Sequence, residues 1–298
     1  MASIGLIAML LAACGGDSGN GLSGAIEIDG SSTVFPITAA VAEEFVKLHR
    51  GVNVNVAVSG TGGGFKRFTV GDTDIADASR SMKDTEAADA AANGVEYYKM
   101  KVGTDGLSVV VNKDNDFVEC LTVEELNAIW KPGSTVNNWN EVRATFPDQP
   151  LRLYGPDTDS GTFDYFTEEI NGEAQASRST YTASADDNVL VQGVAGDRNA
   201  LGYFGYAYYI ENTDKVKALG VDSGDGCVAP DPATIGDGRY SPLSRPLFIY
   251  VSKSSLERPA MQVFIRFYMK VAAELTAEVG YIPEDASVYV ANVKMAGL

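Results

Sequence analysis

The chain has 298 residues, of which 45% are hydrophobic and 21% charged, a balance that suits a globular protein of about two domains. Its 40 acidic and 23 basic residues give a formal charge of −17, which argues against a nucleic-acid partner because such binding needs a basic face. The one histidine, His49, ends a predicted helix, where it suits the helix dipole. We therefore expect neither a zinc enzyme nor a Ser-His-Asp hydrolase, and we expect no metal and no cofactor.

The first predicted element is an export signal. Residues 2–13 are almost wholly apolar, a stretch too short for the roughly 20 residues that cross a bilayer but suited to a signal peptide. The Leu-Ala-Ala-Cys sequence that ends at Cys14 resembles the lipobox of bacterial lipoproteins. The resemblance implies a signal peptide at 1–13 and lipidation of Cys14. The Gly/Ser-rich segment 14–24 would then be a flexible tether to the outer face of the cell membrane.

Two further cysteines remain, Cys120 and Cys227. Export would place them in an oxidising compartment, which favours a disulfide bond over the alternative of two free thiols.

Three segments repeat one pattern, in which a short strand leads through a small, hydroxylated loop into a helix. The apolar residues alternate or cluster in the strands and recur at helical spacing in the helices. The units are a strand at 25–28, the first loop at 29–36 and a helix at 37–48; a strand at 52–58, the second loop at 59–64 and a helix from 65; and a strand at 151–154, the third loop at 155–162 and a helix that includes Phe166 and Ile170.

The chemistry of these loops indicates an anion site. A helix start presents unpaired N–H groups and the positive end of the helix dipole, which together bind anions. Ser and Thr hydroxyls add donors, and Gly lets the backbone approach a ligand. A single such loop is an ordinary helix cap, but three of them favour a bound oxyanion. None has the GxxxxGK[ST] pattern of a P-loop, so nucleotide hydrolysis is not expected.

A fourth segment, 74–81, is predicted to be a short strand followed by a polar turn. Arg80 in this turn is a fork-shaped donor suited to an oxyanion. Asp77 would accept a hydrogen bond from a protonated oxyanion. A surface salt bridge is the alternative interpretation for each.

At these segments the sequence resembles the PstS family of phosphate-binding proteins, within the type II periplasmic-binding-protein fold. The matching pieces are, in order, DGSSTVFP (29–36), SGTGGGFKRF (59–68), DIADASRSMK (74–83), DTDSGTFDYF (157–166) and NALGYFGYAY (199–208). They span nearly all of the chain after the tether. The resemblance implies two α/β domains joined by two crossing strands, with a ligand bound in the cleft between them and no enzymatic activity.

Matched position by position, the ligand contacts of the family fall on all three loops. They are Ser32, Thr33 and Val34 in the first loop, Thr61 and Gly62 in the second, and Ser160, Gly161 and Thr162 in the third. Two positions depart from the best-known pattern, which has Asp where this chain has Arg80 and Arg where this chain has Pro156. We therefore expect Arg80 to supply the cationic contact, with Asp159 or Asp77 as its acidic partner.

The predicted crossing strands lie near 102–111 and 247–251. They would divide the chain into domain I, at 25–104 and 246–298, and domain II, at 105–245, which holds both Cys120 and Cys227. The first two loops would lie on domain I and the third on domain II. The ligand would then be contacted from both sides, as hinge closure requires.

The resemblance implies an exported, monomeric lipoprotein that captures inorganic phosphate and delivers it to the permease and ATPase subunits of an ABC importer. Sulfate, molybdate and tungstate are alternative ligands if no Asp lines the cleft, because a buried carboxylate accepts the proton of phosphate and repels sulfate. A secreted phosphatase is a further alternative, but it would need a metal cluster or an activated nucleophile.

Overall fold

The computed structural model describes residues 21–298, so the predicted signal peptide, Cys14 and most of the predicted tether lie outside the described residues. Strands and helices alternate along the chain, which confirms the predicted α/β class. The strands are β1 (Gly24–Gly30), β2 (Val52–Val58), β3 (Ile75–Ala78), β4 (Tyr97–Asn112), β5 (Cys120–Thr122), β6 (Arg152–Pro156), β7 (Thr182–Ser184), β8 (Ala200–Gly205), β9 (Val216–Ala218), β10 (Gly220–Asp222), β11 (Cys227–Val228) and β12 (Ser244–Ser252).

The helices cover both faces of the strands. They are α1 (Phe35–Leu48), α2 (Gly60–Phe68), α3 (Asp84–Ala92), α4 (Val123–Trp130), α5 (Trp139–Val142), α6 (Gly161–Asn171), α7 (Asp187–Gly196), α8 (Tyr206–Ile210), α9 (Pro232–Gly236), α10 (Pro259–Glu278) and α11 (Ala286–Met295). Within residues 21–298, no helix combines the length and the apolar character that a membrane crossing needs.

The first half of the molecule is built on β2, β1, β3 and β12, in that spatial order. Strand β1 runs parallel to both β2 and β3, and helices carry the chain between them. Helices α1 and α10 pack on this sheet because each has an apolar face at helical spacing. Their shared core contains Ile26, Ile28, Ile37, Val41, Phe45 and Phe264.

The second half is built on β4, β8, β6 and β7. Helix α6 is fixed to this sheet by its buried side chains Phe163, Phe166 and Ile170. The Phe166 ring stacks on the ring of Tyr203 in β8, with 3.7 Å between the ring centroids. This packing sets the position of the first turn of α6, which carries the end of the third loop.

Two adjacent antiparallel strands connect the halves. Strand β4 pairs with β12 from Tyr97 to Gly106 and then with β8 from Leu107 to Val111. Strand β12 returns the chain to the first half, and β4 and β12 contain the segments predicted to cross. Each half has its own apolar core. Val102 belongs to the core of the first half and Leu107 to that of the second, and on the return Leu243 belongs to the second core and Leu247 to the first. These separate cores favour the domain limits 25–104 with 246–298 and 105–245, which stay a prediction.

The predicted disulfide bond between Cys120 and Cys227 is present, with the two Cα atoms 6.2 Å apart. It joins β5 to β11 in a small sheet of the order β11-β10-β5, which lies beside the core of the second half. The bond closes a loop of 107 residues.

Asp77, on β3, is buried in the first half. Its Oδ1 atom accepts a hydrogen bond from the Thr38 hydroxyl at 3.0 Å, whereas its Oδ2 atom has no partner within residues 21–298. Burial, opposed by the Thr38 hydrogen bond and reinforced by the charge of Asp29, raises the pKa of Asp77 to about 8. The Asp77 carboxyl group is therefore mostly protonated at neutral pH.

Replacing both cysteines, as in a Cys120→Ser/Cys227→Ser variant, should lower the free energy of unfolding. In the chain-entropy model a loop of about 100 residues contributes up to about 4.7 kcal/mol, because the bond restricts the unfolded chain. Urea unfolding of the oxidised wild type and of the variant measures the difference. Wild type unfolded in a reductant is the control and should match the variant; equal stability of the oxidised wild type and the variant would contradict the prediction.

The raised pKa of Asp77 makes stability depend on pH. An unfolded Asp ionises near pH 4 and the folded Asp77 near pH 8, so wild type loses stability as pH rises through this window, whereas Asn does not ionise. Asp77→Asn should therefore gain stability relative to wild type by about 1 kcal/mol per pH unit as the pH rises from about 4 towards 8. Urea unfolding at a series of pH values tests this, and a difference that stays constant across the series would refute it.

Candidate functional site

Each of the three loops follows the carboxyl end of a parallel strand. Strands β1 and β2 are parallel neighbours in the first half, and β6 is parallel to β7 and β8 in the second. In open α/β sheets, the loops after such strands form the ligand crevice. The first turns of α1, α2 and α6 therefore supply the N–H groups of any anion site there.

The first loop is held in place by the backbone of β3. The Ser31 amide donates to the Asp77 carbonyl oxygen at 2.9 Å, and the Ser31 hydroxyl accepts from the Thr33 amide at 3.2 Å. Val34 is the N-cap residue of α1, and its side chain is fully buried in the core. Ser32 and Thr33 are left at the surface of a cleft between the two halves.

Helix α2 begins at Gly60, although the sequence pattern predicts a loop up to residue 64. The glycines lie within the helix because α2 packs directly on the end of β1. A Cβ atom on Gly64 would lie 2.6 Å from the Cα atom of Gly30, an approach that only glycine permits. Thr61 lies in the first turn, and its Oγ1 atom accepts from the Ser79 amide at 3.2 Å. The Ser79 hydroxyl oxygen is 3.1 Å from the same atom, so two potential donors to an anion are held side by side.

The third loop ends in a capped helix start. The Ser160 hydroxyl accepts from the Thr162 amide at 3.2 Å, which is the N-cap bond of α6. Gly161 is the point where this helix comes close to the first loop. A Cβ atom there would lie 3.4 Å from Ser32 Oγ and 3.6 Å from Thr33 Oγ1. The start of α6 and the first loop therefore face each other from opposite halves of the molecule.

The cleft between the halves has a volume of about 580 Å³. The predicted contacts that line it are Ser32, Thr33, Thr61, Gly62, Arg80 and Gly161. The other predicted contacts are placed elsewhere: Val34 and Asp77 are buried in the first half, Asp159 is exposed, and Ser160 and Thr162 form the cap of α6. Neither of the two predicted acidic partners, Asp77 and Asp159, lines the cleft.

Arg80 is at the cleft wall, but its partner is a residue that sequence reasoning missed. Two of its guanidinium nitrogens donate to the Glu86 carboxylate, each at 2.8 Å. This hydrogen bond raises the pKa of Arg80, so the guanidinium stays charged. Glu86 also accepts from the Lys83 amide at 2.8 Å, so its carboxylate satisfies an N–H group at the start of α3. No capping-box pattern indicated Glu86, because the Lys83 side chain cannot accept a hydrogen bond.

A second cation, Arg245, lines the cleft from β12 and was also missed. Its Nη2 atom donates to Thr33 Oγ1 at 2.7 Å, and its Nε atom donates to the Asp105 carboxylate at 3.0 Å. The guanidinium lies 3.8 Å from the centroid of the Tyr165 ring. Arg245 therefore touches the first loop, the crossing strand β4 and helix α6. Its spacing in the sequence could not indicate this role, because these partners lie 80 or more positions away along the chain.

Acidic residues of α6 complete the opposite wall. Asp164 and Glu168 line the cleft together with Tyr165. In the sequence, helical spacing could have indicated these side chains, because Gly161, Asp164 and Glu168 share one face of a helix. Within residues 21–298, no group of three His, Cys, Asp or Glu side chains is placed to hold a metal ion.

Comparison with known proteins agrees with this architecture. The family model of the PBP superfamily domain matches residues 15–271. The protein SphX of a Synechocystis species is 49% identical over 270 residues, which cover 90% of this chain and 80% of the relative. The phosphate-binding protein PstS of Staphylococcus saprophyticus is 39% identical, over 92% of this chain and 86% of the relative.

A solved structure gives the same result. The crystal structure of a possible phosphate binding protein from Planctomyces limnophilus superposes with a TM-score of 0.88 at 52% identity, over 93% of this chain and 98% of that one. The predicted periplasmic-binding-protein fold and the predicted family are thereby confirmed. The chain belongs to the PBP superfamily and, within it, to the PstS-type phosphate-binding proteins, the substrate-binding components of ABC transporters.

Proposed function

We propose that the chain captures inorganic phosphate in the cleft and delivers it to the permease and ATPase subunits of an ABC importer. The observation that carries the proposal is the arrangement of donors from both halves around one cleft. The first half contributes the hydroxyls of Ser32, Thr33 and Thr61, and the second half contributes the start of α6 at Gly161. Two arginines, Arg80 and Arg245, face the same space.

The negative net charge does not oppose this assignment. Exposed charges are screened over about 8 Å at physiological salt. An anion in the cleft interacts mainly with the helix starts and arginines around it. Charge-assisted hydrogen bonds contribute about 1.5–3 kcal/mol each, whereas a micromolar complex needs about 8 kcal/mol in total. The surplus from several such bonds would offset ligand desolvation and closure of the two halves.

The proposal includes export, anchoring and a monomeric state. The lipobox-like sequence before Cys14 supports a lipid anchor on the outer face of the cell membrane or in the periplasm. The Cys120–Cys227 bond is of the kind that forms in oxidising compartments. The construction of the cleft within one chain supports a monomer as the binding unit.

Calorimetry of the delipidated protein against phosphate, sulfate and molybdate tests the ligand. We expect phosphate to bind most tightly at neutral pH. Tighter binding of sulfate or molybdate would show that the ligand is a tetrahedral oxyanion other than phosphate. Release of phosphate from a chromogenic ester would instead support a secreted phosphatase, and we expect none.

Arg80→Ala should weaken phosphate binding by more than about tenfold, because one charge-assisted hydrogen bond to the ligand is lost. Calorimetry at constant ionic strength measures the change. Arg198→Ala is a matched control, since Arg198 is 62% exposed and pairs with the exposed Asp116. An Arg80→Ala variant with wild-type affinity would rule out a direct contact.

Arg245 needs a different design, because removing it alone would strand the carboxylate of Asp105, which is only 5% exposed. The double variant Asp105→Asn/Arg245→Gln removes both charges together. It should fold as wild type does but bind phosphate about tenfold or more weakly. Thermal unfolding verifies the fold and calorimetry the affinity. Retention of wild-type affinity in a folded double variant would show that Arg245 only positions Thr33.

A further inference from the structure

A groove of about 690 Å³ runs between α10 and α11 on the first half and shares no lining residue with the cleft. Its lining combines apolar side chains with exposed cations, among them Met269, Val290 and Val293 and the cations Arg266, Lys270 and Lys294. Val290 is an aliphatic residue, yet it is 67% exposed. Exposed apolar surface that is bordered by polar residues marks a place of contact with another molecule or with a membrane.

The charge of this α10–α11 groove is opposite in sign to that of the whole protein. The chain has a formal charge of −17, but no Asp or Glu among residues 21–298 lines the groove. In the described part of the chain, none of the three cations of the groove forms a salt bridge. Their charges are therefore available to an anionic partner.

The groove lies on the same side of α10 as the segment that follows the predicted tether. Residues 21–24 line one small pocket together with Pro259, the first residue of α10. Arg266 and Lys270 follow Pro259 by seven and eleven residues, close to two and three helical turns, so all three share one face of the helix. At 1.5 Å per residue, the groove begins about 10 Å along α10 from the place where residues 21–24 meet it.

The predicted tether limits how far this face of α10 can be from a membrane. Seven peptide steps separate Cys14 from Gly21, and an extended chain spans at most about 25 Å over that length. The residues between them, GGDSGN (15–20), include no apolar side chain that would fill the groove. An acyl chain on Cys14 would therefore keep the groove and the bilayer at a high effective concentration.

We propose that the α10–α11 groove docks on the surface of an anionic lipid bilayer, with its cations at the lipid headgroups and Val290 at the boundary of the acyl chains. This inference rests on the proposed lipid anchor at Cys14. The acidic residues elsewhere on the protein do not prevent such docking, because salt screens exposed charges over about 8 Å. A second copy of the chain suits the groove less well, since a two-fold contact would place the same cations against each other.

A tryptophan reporter in the groove tests the docking. Val290→Trp is made in the lipidated protein, which is reconstituted into vesicles that contain brominated phospholipids as contact quenchers. We expect vesicles of phosphatidylglycerol to remove most of the reporter's fluorescence and vesicles of phosphatidylcholine to remove little. Val189→Trp is the matched control, because Val189 is 50% exposed on α7 in the second half and should not be quenched by either lipid. Trp130 and Trp139 are buried in the core and give the same background in both variants.

Reversing the charge of the groove tests the role of the cations. Lys270→Glu/Lys294→Glu, added to the reporter variant, should abolish quenching by phosphatidylglycerol because the groove then repels the lipid. Lys131→Glu/Arg152→Glu changes the net charge equally at exposed positions of the second half and should leave the quenching unchanged. Neither pair lines the cleft, so both double variants should bind phosphate with wild-type affinity in calorimetry.

Four outcomes separate the possibilities. An anchored protein whose reporter is not quenched by phosphatidylglycerol, or is quenched equally after charge reversal, would overturn the docking and leave phosphate capture intact. Mass spectrometry that finds no acyl chain on Cys14 would refute the anchor and the docking with it. Reporter fluorescence that changes with protein concentration in detergent, without vesicles, would overturn the docking in favour of a second copy of the chain. Failure of wild type to bind phosphate would refute ligand capture alone.

Discussion

An oxyanion in a protein cleft has to exchange its water shell for protein donors, and this exchange is the constraint on which the fold depends. Removing a charge from water costs several kcal/mol even after the surroundings relax. Helix starts offset this cost of desolvation, because their first N–H groups have no hydrogen-bond partner within the helix and are available to the ligand. The parallel arrangement of β1 with β2 and of β6 with β8 places such starts on both walls of one cleft.

Local pattern was enough to predict most of this arrangement. The three strand–loop–helix units, the disulfide bond and the crossing strands all follow from residue types at short spacing or from the family resemblance. The start of α2 could not be found in this way. Glycine favours loops by its intrinsic preference, and only the contact of Gly64 with Gly30 explains why these glycines are helical.

The charged residues of the cleft were harder to predict, because their roles depend on contacts across the fold. Arg245 lies on a strand whose pattern indicates only burial, and its partner Thr33 is in the first loop. Asp77 matched the expected chemistry but is enclosed in the core, where burial keeps it mostly protonated. Asp164, Glu168 and Glu169 of α6 all line the cleft, but no motif in the sequence indicated that this helix would supply acidic side chains there.

The strand order has a consequence for how the chain is made. Strand β12 lies between β3 and β4, so these two strands are not joined until Ser244–Ser252 is available. During synthesis the elements of the second half from β5 to α9 are all produced before that segment. The first half therefore stays incomplete, with two unpaired strand edges, until nearly the end of translation. Its final assembly requires contacts between distant parts of the chain, a feature that slows folding.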